Sequence, residues 1–96
     1  MIVQPEARDE LLAAVDWYED QRLGLGDEFL DAIGEIFERV VAAPLSFPPD
    51  RFDQRARRAL VTRFPYAVVF VVHNDDVRIV AFAHAKRLPD YWTKRV

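Results

Sequence analysis

The chain reads as an α+β domain in which a helical hairpin packs on one face of a small, mainly antiparallel sheet. Three features of its 96 residues carry that reading. Apolar side chains recur at helical spacing in two consecutive stretches, Ala7 to Tyr18 and Phe29 to Val41, joined by the short, glycine-bearing Gly24-Leu25-Gly26. From Arg57 the period changes from helical to two. An almost wholly apolar run, Tyr66–Val72, is then separated from a second, Val77–Ala83, by the turn-forming His73-Asn74-Asp75-Asp76.

The elements follow in order. Ile2 and Val3 suit a very short first strand. Pro5 fits the first turn of a helix, with Glu6, Asp9 and Glu10 near its positive end. Ala7, Leu11, Ala14/Val15 and Tyr18 form its apolar stripe, with Trp17 beside it. The helix should stop near Leu23-Gly24, since glycine takes the left-handed conformation readily. Gly26-Asp27 can open a second helix carrying Phe29, Leu30, Ile33, Ile36, Phe37, Val40 and Val41. Gly34 within it implies close approach to the first helix, and Pro44 ends it. After the loop PLSFPPDRFDQ, a strand places Arg57, Ala59, Val61 and Arg63 on one face and Arg58, Leu60, Thr62 and Phe64 on the other. The Tyr66–Val72 run is apolar on both faces, so both faces should be covered.

Ninety-six residues fit one domain, taken as 1–96. The chain has no cysteine, so disulfides and thiolate metal sites are excluded. Neither a signal peptide nor an apolar run of membrane-spanning length is evident, which points to the cytoplasm and away from membranes. No metal and no cofactor are expected. The net charge of −3 hides a division. Residues 1–50 carry three arginines against twelve carboxylates, and residues 51–96 carry ten lysines and arginines against four. A basic half of this kind suits phosphate or an acidic partner, unless the halves neutralise each other in the fold.

Five motifs in order resemble the RelE/ParE superfamily of toxins, specifically its ParE-like plasmid-stabilisation branch. They are PEARDELLAAVDWYE, GLGDEFLDAI, the P-x-x-FP of the loop, RRALVTRFPYAVVF and HAKRLPDYW. The resemblance spans nearly the whole chain and implies a β-α-α-β-β-β fold. It also implies a cognate antitoxin, growth arrest or plasmid maintenance, and operator DNA reached only through the antitoxin complex. The family holds two mechanisms: ParE-like members poison DNA gyrase, and RelE-like members cut mRNA on the ribosome. In this family the antitoxin's C-terminal segment covers the sheet face left free by the helices.

Cleavage through a 2′-hydroxyl needs a base, an acid and cations for the added phosphate charge. His84, Arg87 and Tyr91 are the candidates here, with Lys86, Arg63 and Arg58 as further cations. Against that reading, Ala67 stands where RelE-like enzymes carry a phosphate-holding arginine. The lysine-rich second strand of those enzymes is also missing. Arg57, Arg58, Arg63, Lys86 and Arg87 are accordingly candidates for gripping a target or an antitoxin. Tyr91 and Trp92 read as packing that seals the end of the core behind Pro89, and Trp17 and Tyr18 as packing of helix on sheet, Trp17 lying off the main stripe. His73 beside the turn reads as solvated.

Overall fold

A computed structural model describes residues 1–96. Its elements run β1 (Ile2–Val3), α1 (Pro5–Gln21), α2 (Leu25–Ala42), β2 (Arg57–Leu60), β3 (Tyr66–His73) and β4 (Asp76–His84), with short 3₁₀ turns at Pro44–Ser46 and Thr93–Arg95. The sheet order is β1-β4-β3-β2; β1 pairs parallel with β4, and the other pairs are antiparallel. The expected β-α-α-β-β-β order and the helical hairpin on one sheet face are both present. Neither helix is long and apolar enough to cross a membrane.

The helix connection shows why it needs two glycines. Gly24 adopts φ +90, a conformation that strains any side chain. A Cβ on Gly26 would lie 3.0 Å from the Val15 carbonyl oxygen and 3.0 Å from Glu19 Oε1. Glu19 ties the turn together by accepting the Gly24 and Gly26 N–H groups at 2.9 and 3.0 Å. Close approach of the helices therefore falls at Gly26. Gly34, expected to serve that role, is exposed, and a Cβ there would meet nothing within 4 Å.

The main core lies between the hairpin and the sheet. Tyr18, Phe29 and Phe64 meet with ring centroids 5.0 Å apart in each pair, and Tyr66 joins Phe29 at 5.2 Å. All but the tilted Tyr18–Phe29 pair are edge-to-face, an arrangement that adds to area burial. Phe64 explains a departure from the expected second strand. That strand stops at Leu60, and the chain reverses through Arg63 at φ 74 to turn Phe64 inward. Arg63 and Thr62 therefore sit in a turn rather than on a strand face. The Asn74-Asp75 turn has φ 49 and 66, the two left-handed residues of a tight hairpin.

A second, smaller cluster occupies the opposite sheet face: Val69, Val80, Ala81 and Ala83 with Ala56 and the fully buried Trp92. The face expected to await a partner is thus covered in part by the chain's own tail. The aromatic pair expected to seal the core does so on this side, with Trp92 as the plug. Leu60 and Leu88 remain 72% and 74% exposed.

Candidate functional site

Sheet register assigns each candidate to a face. Tyr66 and His84 are Cα partners, as are Val68 and Phe82, whose side chains lie in the helix-side core. His84 therefore projects from the helix side. Arg58 pairs with Val69 and Leu60 with Ala67, which partners Ala83; Val69 and Ala83 line the tail-side cluster. Arg58, Leu60 and Ala67 consequently face the tail, and the sheet stands between them and His84.

The arginines are engaged within the molecule. Arg58 Nε donates to Asp50 Oδ1 at 3.0 Å. Asp50 is 4% exposed, and its other oxygen accepts the Phe52 and Asp53 N–H groups, so the carboxylate is fully used in shaping the loop. Arg57 donates to the Phe47 carbonyl, and Arg63 to Glu28 at 2.9 Å. The hydrogen bond from Arg63, with a further one from Arg22, holds the Glu28 carboxyl below its ordinary pKa. Arg63 is still largely exposed, as is Lys86, which makes no side-chain ion pair.

Arg87 and Tyr91 do come together, around a residue that sequence reasoning placed only as a helix-dipole partner. Glu10 accepts the Tyr91 hydroxyl at 2.7 Å, Arg95 at 2.9 Å, Arg87 at 3.3 Å and the Phe82 N–H at 3.1 Å. The Arg87 guanidinium stacks 3.8 Å over the Tyr91 ring. Burial, followed by the hydrogen bond to Glu10, drives the Tyr91 pKa far above the usual tyrosine value. This hydroxyl is a structural donor held in its protonated form. Arg95 was missed; it also donates to the Val80 carbonyl at 3.1 Å. The signal for both misses was the brevity of β1. It pairs with β4 only at Arg78 and Ile79, so the rest of that edge needs other partners.

His84 has a different setting. Its Nδ1 accepts the Lys86 N–H at 3.0 Å, and its ring stands perpendicular to Tyr66 at 5.0 Å. His73 is exposed beside the turn. On the β2 side, a groove of about 620 Å³ runs from α2 to the tail. Arg39 and Arg58 border it, and Phe47, Phe52, Leu60 and Pro89 supply much of its apolar lining.

A helical hairpin packed on an open, mostly antiparallel four-stranded sheet in the order β-α-α-β-β-β matches the ParE-like toxin fold. Residues 1–89 match the ParE toxin of the type II toxin-antitoxin system parDE, and the chain belongs to that family. Among solved structures it is similar to the chromosomal ParDE TA system from P. aeruginosa, with a TM-score of 0.66 and 18% identity over 90% of this chain and 97% of that one. A likeness at that identity establishes the shared fold. No curated protein matches the chain in sequence.

Proposed function

We propose that this ParE toxin arrests growth by gripping a protein target rather than by cutting RNA, that the leading candidate target is DNA gyrase in the cytoplasm, and that a cognate antitoxin neutralises it. The observation that carries this reading is the division of the candidate groups. The sheet separates His84 from Arg58, the Tyr91 hydroxyl is spent on Glu10, and Arg87, which borders the same crevice as His84, already gives one donor to Glu10. A general base, a general acid and a phosphate-holding cation must converge within hydrogen-bond reach of one substrate. These residues serve recognition and structure better than proton transfer.

The antitoxin reading rests on the groove at β2. Its arginines and exposed Leu60 suit an acidic segment with an apolar anchor, and the tail leaves that strip of sheet face open. Such a segment would order on binding, raise the melting temperature by mass action, and associate more slowly at high salt. Growth arrest released by an antitoxin is also what would give the pair a role in plasmid maintenance.

The test is a supercoiling assay with purified gyrase and toxin. The expected result is inhibition with accumulation of cleaved DNA, reversed by antitoxin. Normal supercoiling at saturating toxin, together with codon-positioned mRNA ends after brief induction, would replace this reading with a ribosome-dependent nuclease.

A further inference from the structure

Between α1 and the His84 end of the β3–β4 pair lies a crevice that target gripping and antitoxin binding leave unassigned. It divides into two adjoining hollows of about 290 and 260 Å³ that share Trp17, Tyr66 and His84. Its walls are aromatic. Trp17 is 58% exposed and stands edge-on to Tyr18 at 5.1 Å, while Tyr66 stands perpendicular to His84. The small Ala13 leaves room on the helix side. Packing does not account for Trp17, because the neighbouring Tyr18 already fills the helix-to-sheet core.

The polar edges of these rings are uncommitted. The Trp17 indole and the Tyr18 and Tyr66 hydroxyls have no hydrogen-bond partner in the chain, in contrast to Tyr91. Both phenols are protonated donors at neutral pH, as any tyrosine is, and burial raises their pKa further. Because His84 Nδ1 accepts the Lys86 N–H, the neutral ring carries its proton on Nε2 and donates there. Glu10 is the carboxylate in the lining, and its oxygens already serve four donors. The crevice therefore offers aromatic faces and hydrogen-bond donors but no free anion for a cationic guest. Arg87 stands at its rim, half exposed, with donors beyond the one used on Glu10.

We infer that this crevice is a binding site for a nucleoside monophosphate, with the base stacked against Trp17 and Tyr66, its acceptor edge on the phenol and imidazole donors, and its phosphate on Arg87. Stacking on aromatic side chains is how proteins hold single bases, and a guanidinium fork suits a phosphate. The hollows match one base and its sugar rather than a larger ligand.

The experiment uses the isotopically labelled full chain and follows the two indole N–H resonances, with Trp92 as the internal reference. The probes are the four nucleoside 5′-monophosphates, their nucleosides, inorganic phosphate and a short single-stranded oligonucleotide. At least one monophosphate should shift the Trp17 indole while Trp92 stays put. Trp17→Ala should weaken binding about tenfold or more, and Trp17→Phe, which keeps a ring, by no more than about threefold, both read from the backbone amide resonances of Tyr66 and His84 because these variants lack the reporting indole. Arg87→Ala should weaken the monophosphate about fivefold and leave the nucleoside unchanged. The inference is overturned by an unmoved Trp17 at roughly 10 mM nucleotide, a concentration above the millimolar limit of weak specific binding. It is equally overturned if phosphate alone reproduces the shifts, if only the oligonucleotide binds, or if Trp17→Phe is as weak as Trp17→Ala.

Discussion

Where β1 stops, the edge of β4 is closed by side chains: Glu10 takes the Phe82 N–H, Arg95 and Tyr91 reach the Val80 and Phe82 carbonyls, and both of these also donate to Glu10. On the far side of the sheet, β2 is finished differently. Val61 donates inward to Tyr66, and Asp50 donates to Ala56 from outside, so alternation turns the Arg58 and Leu60 backbone groups outward. The loop covers only the start of that edge, through the Pro49–Arg57 bridge. Open edges invite pairing, and charge restrains it. One edge is thus closed by the fold itself, and the other, bordered by arginines, keeps outward-facing backbone groups.

The sharpest way to break this contrast is at the tail. Trp92→Ala should cost about 3–5 kcal/mol in urea unfolding, the range for removing a buried tryptophan, and should loosen the whole clasp. Glu10→Ala comes next. It strands two arginines and an indispensable edge partner, and should cost about 2–4 kcal/mol while speeding hydrogen exchange at Phe82 more than at Val68. Equal exchange at the two positions would mean that β4 does not depend on its side-chain edging. The clasp also has a pH signature. The folded pKa of Tyr91 lies above its unfolded value near 10, so the folded state holds a proton that the unfolded chain releases. That stability is complete below pH 10 and declines as pH rises beyond it. Tyr91→Phe should flatten part of this alkaline decline, the remainder belonging to Tyr18 and Tyr66, which shift in the same direction.

Smaller effects belong to the β2 side. Arg63→Gly should stabilise the protein by about 0.5–1 kcal/mol, because it relieves a left-handed arginine at the expense of an exposed ion pair. If growth arrest or antitoxin affinity falls in that variant, the strained arginine serves a partner. Leu60→Lys should change stability by less than about 0.5 kcal/mol. It should nonetheless weaken antitoxin binding, measured by titration calorimetry; an unchanged affinity would place the antitoxin away from this edge.

The contrast also marks how far the sequence could be read. The helix stripes, the tight turn at Asn74-Asp75 and the two apolar strands were legible because each is a local pattern of period 3.6 or 2. Gly24 was legible through its conformational role. Gly26 and Gly34 were not separable, since only packing decides which glycine meets Val15. The second strand was read too long because alternation continues through Thr62 and Phe64, while the aromatic cluster that pulls Phe64 inward is tertiary. The same limit hid the buried Asp50 and the clasp. A glutamate in a first helical turn looks like a dipole partner, and nothing local announces an arginine 85 positions away.

That separation has a consequence in time. At roughly 5–20 residues per second, synthesis leaves Glu10 waiting about 4–17 s for Arg95. β1 and Glu10 precede β4, whereas Tyr91 and Arg95 follow it, so the Val80 and Phe82 carbonyls are the last groups of that edge to gain side-chain partners. Closure of this edge therefore draws on both ends of the fold and waits on residues made after the strand itself.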